Sequence, residues 1–336
     1  MRTRLDLLLV LVICLSACDG SPEATSVLPT PPSTPVAAQR PPPCAEANLL
    51  FDASMSRLLL ANCVDQLEGA EAEQLWAWDG ESWELVDADG PEPMVVTGGA
   101  FDSARGVLVR YGGLPLDSNN CNPETWEWDG AWRVVEAEPP TACDHMALTY
   151  DAARGVTLMF GGGDDDQNLL DETWTWDGQA WELVAEGGPA GRAHFGLVDD
   201  PAHEQVLLYG GYDGSVFDDF WSWDGDVWTE LDPGAGPGAR SHFGMGVTPE
   251  GVLLFGGAKT SASFDSLTDE TWFLTNGEWS MLDGPAPSPR GSPTLGYDAE
   301  RDVMVLYGGF DSVGNGLADT WEWDGEWRCV DGCSLP

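Results

Sequence analysis

Short apolar runs that end on an aromatic residue and two glycines recur along the chain at intervals of 46 to 52 residues. A short apolar run bounded by turn residues predicts a buried strand, and the glycines allow close backbone approach. Another predicted strand precedes each run across a turn such as Tyr150-Asp151. In the first repeat, Asn62 and Cys63 replace the glycines that follow Leu60. The five complete copies end in Tyr111-Gly112-Gly113, Phe160-Gly161-Gly162, Tyr209-Gly210-Gly211, Phe255-Gly256-Gly257 and Tyr307-Gly308-Gly309.

A tryptophan-rich hairpin follows each apolar run. Trp174 and Trp176 alternate onto one face of a strand, Asp177-Gly178 predicts a tight turn, and Trp181 opens the returning strand. All 17 tryptophans fall within six such copies, and the confinement of one residue type to a repeated position indicates a packing role. The fifth copy is degenerate, because Leu274 stands where the other copies have a second tryptophan. The tryptophan sets are Trp76/Trp78/Trp83, Trp126/Trp128/Trp132, Trp174/Trp176/Trp181, Trp221/Trp223/Trp228, Trp272/Trp279 and Trp321/Trp323/Trp327.

Each repeat therefore predicts four short strands, a to d, and one such sheet cannot bury both of its faces alone. Six sheets arranged radially can, so we predict an all-β, six-bladed β-propeller with four antiparallel strands per blade over residues 44–336. The glycine pair, the aromatic c strand and the following tryptophan resemble the kelch family, over residues 44 to about 330. The extra tryptophans resemble bacterial kelch-type lipoproteins of unassigned function. No strand is left over for exchange between the first and last blades, so disulfides are expected to replace that latch.

The N-terminus carries the pattern of an export signal. A basic start, Met1-Arg2-Thr3-Arg4, precedes an apolar run from Leu7 to Ile13 that is too short to span a bilayer. Leu15-Ser16-Ala17-Cys18 resembles the lipobox of bacterial lipoproteins. The resemblance implies a signal peptide over residues 1–17, a lipid on Cys18, and attachment in the cell envelope, with the outer membrane or cell surface favoured. An ordinary secretory signal with an incidental cysteine is the alternative.

Residues 18–43 are rich in proline, serine, threonine and alanine and predict an extended tether between the lipid and the propeller. The even number of cysteines beyond it predicts three disulfides in an exported chain. We expect Cys121 to pair with Cys143, because the b–c and d–a loops share one end of a propeller. Connectivity is open among the four cysteines expected around the junction of blades six and one: Cys44, Cys63, Cys329 and Cys333.

The net charge of −43, from 57 acidic and 14 basic residues, disfavours nucleic acid and anionic lipid surfaces as partners. We therefore expect a monomer that binds a protein or a glycan and meets the membrane only through its lipid. The charge itself is typical of a solvated surface outside the cell.

Varied polar loops after the glycine pairs form one half of the candidate binding face, because varied loops on a rigid repeat often carry function. The d–a segments form the other half, and arginines and histidines there predict a pocket for an anionic or carbonyl group. In the other interpretation the arginines pair with acids such as Asp171, Asp219, Asp269 or Asp319, and the histidines cap buried backbone. Repetition of the same residues in consecutive blades favours this packing role. The candidate residues are Asp117, Asp164, Asp165, Asp166, Asp213, Asp311, Arg192, Arg240, Arg290, His145, His194 and His242.

No metal or cofactor is predicted from the sequence. The Asp164–Asp166 run offers oxygen ligands but lacks the spacing of a calcium loop, so calcium is a minor alternative. A site made of the three candidate histidines lacks a recognisable acidic partner, and no cysteine set has zinc-site spacing. No nucleophile–base pair is recognisable either. The predicted function is a binding or scaffolding module for protein or glycan, and the alternative is a hydrolase or isomerase acting on an acidic sugar at the channel mouth.

Overall fold

Six four-stranded antiparallel sheets follow one another in the computed structural model, which describes residues 40–64, 72–116, 118, 120–260 and 264–333. Within each sheet the strands pair in chain order, so each predicted repeat forms one blade. The fold is the predicted all-β, six-bladed propeller. The predicted signal peptide (1–17), Cys18, most of the predicted tether and Asp117 lie outside the described residues.

Strands a to d are named in chain order within each blade. The a strands are Asn48–Asp52, Gly98–Asp102, Ala147–Asp151, Gly196–Asp200, Gly244–Thr248 and Thr294–Asp298. The b strands are Arg57–Ala61, Val107–Tyr111, Val156–Phe160, Gln205–Tyr209, Gly251–Phe255 and Val303–Tyr307. The c strands are Leu75–Trp78, Thr125–Trp128, Glu172–Trp176, Phe220–Trp223, Thr271–Thr275 and Thr320–Trp323. The d strands are Trp83–Asp87, Trp132–Val135, Trp181–Glu186, Trp228–Leu231, Glu278–Leu282 and Trp327–Asp331. Outside the blades lie a strand pair, Met94–Val95 with Leu114–Pro115, and a 3₁₀ turn, Phe264–Ser266.

The a strands form the inner wall of the propeller. Each a strand contacts the a strands of both neighbouring blades, and the strand of blade 6 contacts that of blade 1. Together they surround a central channel lined by side chains from every a strand. The end of the channel where each a strand begins, here called the channel mouth, carries the candidate site.

The hydrophobic core is divided into wedges between neighbouring blades, and the described residues contain one apolar cluster for each of the six junctions. Trp176 is fully buried between blades 2 and 3, where Val109, Tyr111 and Trp181 belong to the same cluster. Trp78 and Trp223 are equally buried at the equivalent positions of blades 1 and 4. The tryptophans of the repeat therefore join one blade to the previous one.

A hydrogen bond between side chains reinforces most of these junctions. The indole N–H of Trp181 in blade 3 donates to Thr125 Oγ1 in blade 2 at 2.9 Å. Within the described residues, Leu75 and Phe220 replace the threonine at two junctions, and the buried indole N–H groups of Trp132 and Trp279 there have no partner. The other pairs of this kind are Trp83–Thr320, Trp228–Thr173 and Trp327–Thr271, at 2.8–2.9 Å.

Replacing Thr125 with valine is expected to lower the free energy of unfolding by about 1–3 kcal/mol, because it leaves a buried indole N–H without an acceptor. Denaturant unfolding measures this cost. In a Trp181→Phe background the Thr125→Val substitution should lower the free energy of unfolding much less, because no indole N–H remains without an acceptor. Equal costs in the two backgrounds would show that the hydrogen bond contributes nothing.

The ring closes between blades 6 and 1 through noncovalent contacts among the described residues. Tyr307 O–H donates to the Pro41 carbonyl at 2.9 Å, and Gly309 N–H donates to the Cys44 carbonyl at 2.8 Å. Trp83 and Thr320 add the indole hydrogen bond at the same junction. The N-terminal segment is thereby held on the last blade without any strand exchange.

The disulfides are local, which corrects the expectation that they latch the ring. Cys44 pairs with Cys63 within the first repeat, and Cys329 pairs with Cys333 at the end of the last strand. The predicted Cys121–Cys143 pair is confirmed, with its Cα atoms 5.6 Å apart. It joins the b–c loop of blade 2 to the segment that leads into blade 3. The disulfides indicate an oxidising compartment outside the cytoplasm.

Candidate functional site at the channel mouth

The b–c loops and the d–a segments meet at one end of the propeller, here called the loop face. Ala193 N–H donates to the Tyr212 carbonyl, and Tyr212 N–H donates back to Ala193, both at 2.9 Å. The same two-way pairing joins Ser241 to Ala258 and Gly291 to Phe310. Each loop is thus fixed to the segment that leads into the a strand of its own blade. The a–b and c–d hairpins form the opposite face.

Six equivalent residues encircle the channel mouth, each two positions before an a strand. All six have positive φ, between 46° and 58°, a conformation that non-glycine residues rarely adopt. Backbone hydrogen bonds link neighbours around the mouth: Glu46 N–H to Ser292, Ser292 to His242, His242 to His194, and His145 to Val96. These bonds hold the strained conformation and direct six side chains into the mouth. The mouth ring comprises Glu46, Val96, His145, His194, His242 and Ser292.

The polar side chains of the mouth ring contact one another. Glu46 Oε1 lies 3.0 Å from His194 Nδ1, although these residues come from blades 1 and 4 on opposite sides of the channel. The rings of His194 and His242 stack with centroids 3.7 Å apart, and the His145 ring meets His194 edge-on at 4.8 Å. The three predicted histidines therefore converge at one point. Glu46 was not predicted, although counting back from strand a aligns Cys44-Ala45-Glu46 with Cys143-Asp144-His145.

Burial and neighbouring charges shift the pKa values of the titratable residues in the mouth ring in different directions. Burial opposes ionisation of Glu46, but the hydrogen bond with His194 and the nearby histidine charges lower its pKa to about 2. Burial and the charge of His194 lower the pKa of His242 to about 3, against the attraction of Glu46. Burial also disfavours the charged form of His145, but its bond to Asp144 and the charge of Glu46 raise its pKa above the ordinary value. At neutral pH the mouth therefore offers an ionised carboxylate and a neutral imidazole side by side.

Two further side chains orient the histidines. Asp144 Oδ1 lies 2.9 Å from His145 Nδ1, and Ser241 Oγ lies 3.0 Å from His242 Nδ1. In both rings these contacts occupy Nδ1 and leave Nε2 available for other partners.

An aromatic pair, here called the aromatic rim, stands beside the mouth ring. Phe264 and Phe310 come from the b–c loops of blades 5 and 6, with ring centroids 4.6 Å apart. Each lies about 6 Å from the His242 ring, and Phe264 is 44% exposed. Neither was singled out from the sequence, where the available signal was a lone aromatic residue in an otherwise polar loop.

The three candidate arginines do not line the mouth. Arg192, Arg240 and Arg290 are 0% exposed and pair with Asp219, Glu270 and Asp319, with N–O distances of 2.6–2.9 Å. This is the ion-pair arrangement weighed as the alternative, except that Glu270 takes the place expected for Asp269.

The arginines also tie the loop face together. Arg192 and Arg290 donate to the carbonyls of Gly210 and Gly308, the first glycine of each pair. Burial disfavours the ionised form of Asp319, but the hydrogen bond and charge of Arg290 lower its pKa. The arginines therefore support the loop face from within the protein, and only the histidines belong to the mouth ring.

The loop acids divide into turn formers and exposed groups. Asp164 Oδ1 accepts the backbone N–H groups of Asp166 and Asn168, at 3.0 and 2.8 Å. Asp311 accepts those of Val313 and Asn315 in the same way, and Asp213 accepts that of Ser215. Asp165 and Asp166 are exposed. Asp164, Asp213 and Asp311 therefore use a carboxylate oxygen to shape their own loops, and Asp165 and Asp166 face solvent on the loop face.

No helix among the described residues is long and apolar enough to cross a membrane.

Comparison with known proteins supports the architecture. No protein-family model and no curated protein matches the chain. Among solved structures, that of the protein named YjhT is similar with a TM-score of 0.70, covering 87% of this chain and 99% of that one. The two sequences are 14% identical, so the similarity shows a shared propeller fold and nothing more specific.

Proposed function

We propose that this chain is an extracytoplasmic kelch-type propeller whose loop face binds a ligand at the channel mouth. The observation that carries the proposal is the convergence of Glu46, three histidines and the aromatic rim at the end where all the varied loops meet. A rigid repeat supports these groups, while the loops around them differ in length and sequence from blade to blade. Concave sites with aromatic walls and a few convergent polar groups are the usual form of a ligand pocket.

The composition of the mouth supports a glycan, or a glycan-bearing partner, as the ligand. A carboxylate and imidazoles can exchange hydrogen bonds with hydroxyl groups, and the exposed ring of Phe264 offers flat apolar surface to a sugar ring. The three arginines that would clamp an acidic sugar are buried in ion pairs, so the geometry favours neutral glycan binding over processing of an acidic sugar. A protein partner would use the wider loop face, including Asp165 and Asp213.

The test is a glycan array and a cross-linked pull-down with the secreted, non-lipidated chain. For the ligand found, Phe264→Ala and Asp165→Ala should weaken binding and leave the melting temperature nearly unchanged, because exposed loop residues contribute about 0.5 kcal/mol to stability. Glu81→Ala on the opposite face is the matched control and should bind like the wild type, since Glu81 is exposed in a c–d turn. If Glu81→Ala weakened binding and the loop-face variants did not, the ligand would bind the face opposite the loop face, and the proposal would be contradicted.

We also propose that the propeller is anchored through a lipid on Cys18. Support comes from the Leu15-Ser16-Ala17-Cys18 motif and from disulfides that indicate folding outside the cytoplasm. Replacing Cys18 with serine should move the protein from the membrane fraction to the soluble extracytoplasmic fraction, because the lipid would be the anchor. A Cys18→Ser variant that still sediments with membranes would contradict the lipoprotein assignment.

A further inference from the structure

We propose that Glu46, His194 and His242 bind a divalent transition-metal ion of the zinc class at the channel mouth. The proposal goes beyond ligand binding by the loop face and does not depend on it. It also replaces the expectation from sequence that the chain has no metal site.

The donor atoms are already gathered. One ligand atom from each of Glu46, His194 and His242 lies within 4.8 Å of the other two, and Glu46 Oε1 is 3.0 Å from His194 Nδ1. Zinc holds its nitrogen and oxygen ligands at about 2.0–2.2 Å, so ligands of one ion lie roughly 3–4 Å apart. The stacked rings of His194 and His242 would have to turn about their side-chain bonds to direct both lone pairs at one ion.

The orienting partner of His242 is of the kind that metal sites use. Ser241 bonds Nδ1 of His242, so this ring keeps Nε2 for an ion. A histidine ligand whose other nitrogen bonds a carboxylate or another protein oxygen is a recurring feature of zinc sites.

The arrangement of the mouth ring argues against a purely structural role for these side chains. All six ring residues share one backbone conformation, yet Val96 and Ser292 occupy it without an imidazole or a carboxylate. The architecture of the repeat therefore does not require histidine at this position. The ligating groups come from blades 1, 4 and 5, and they meet although blades 1 and 4 face each other across the channel.

The mixed nitrogen and oxygen donor set selects the class of ion. Imidazole suits zinc, copper, nickel and iron, whereas calcium and magnesium prefer oxygen ligands. Three protein ligands leave tetrahedral zinc a fourth position for water or for an oxygen of a bound molecule.

The experiment uses the secreted, non-lipidated chain after exhaustive treatment with a chelator. Titration with Zn²⁺ by calorimetry should give one tight equivalent, and Zn²⁺ should raise the melting temperature in a concentration-dependent way. Co²⁺ used as a probe should develop the visible absorption of nitrogen-ligated cobalt. The His194→Ala/His242→Ala double variant should lose the tight equivalent, and Ser241→Ala should weaken it about 10- to 100-fold, because Ser241 bonds Nδ1 of His242.

His203→Ala is the matched control, because His203 is the remaining histidine of the four, is 70% exposed and pairs with Asp200 at the start of an a–b turn. It should bind Zn²⁺ like the wild type. The metal-free melting temperatures of all variants show whether each one folds. The proposal would be overturned if the wild type bound no tight equivalent of Zn²⁺. It would also be overturned if the double variant still bound Zn²⁺ tightly, because the ion would then lie on the acidic surface. None of these measurements involves a glycan, so they test the metal site separately from the proposed function.

Discussion

Replacing Trp176 with alanine is expected to lower the free energy of unfolding by about 3–5 kcal/mol, the usual cost of emptying a large aromatic site in a core. Trp176 is 0% exposed in the wedge between blades 2 and 3, and its indole N–H donates to Glu127 Oε1 of the neighbouring blade at 3.0 Å. The substitution therefore removes both packing and a hydrogen bond between blades. Denaturant unfolding followed by tryptophan fluorescence and circular dichroism measures the loss.

Trp174 provides the matched control on the same strand. It lies two residues earlier and is only partly buried, and its indole N–H bonds Glu172 within its own blade at 2.8 Å. Trp174→Ala should cost clearly less than Trp176→Ala. An unchanged unfolding midpoint for Trp176→Ala would show that the tryptophans do not hold the blades together.

Replacing Asp219 with alanine is expected to cost about 3 kcal/mol, because it leaves the guanidinium of Arg192 buried without its counter-charge. Arg192 is 0% exposed and binds both carboxylate oxygens of Asp219, at 2.6 and 2.8 Å. The side chain of Asp219 is 20% exposed, which places the cost at the lower end of the range for a broken buried pair. Thermal and denaturant unfolding both report it.

An exposed ion pair separates this effect from a general effect of lost charge. Arg328 and Asp324 pair at 2.8 Å with side chains 57% and 45% exposed. Asp324→Ala should change stability by less than about 1 kcal/mol. Equal losses in the two variants would mean that burial of Arg192 contributes little, and the assignment of the arginines to the support of the loop face would be wrong.

The fold was predictable because its signals repeat. Glycine pairs and tryptophan hairpins recur at a nearly constant interval, and six copies of a sheet that cannot bury itself leave few solutions. The Cys121–Cys143 pair followed from the same register, since it places both residues on one face. The ring closes through contacts that other junctions repeat, since Tyr307 O–H donates to the Pro41 carbonyl as Tyr111 O–H does to the Pro140 carbonyl. The sequence did not show that such contacts join the last blade to the first without a disulfide latch.

The candidate site was predictable in part, for physical reasons that differ between its members. The histidines stood out because they recur at one position of the repeat, whereas Glu46 occupies that position in a degenerate first copy. The aromatic rim has no periodicity, because Phe264 and Phe310 belong to loops that vary. The arginines recur as clearly as the histidines, and this repetition favoured the ion pairs that they form with carboxylates in their own blades. The same argument was wrong for the histidines, whose side chains meet at the mouth.

Photo-cross-linking of the ligand found by the array, followed by peptide mapping, tests most directly whether the loop face is the functional surface. We expect cross-links on the segments around His145, His194 and His242 and on the loops that carry Phe264 and Phe310. Cross-links confined to the c–d hairpins, such as the Asp177-Gly178 turn, would contradict the proposed function.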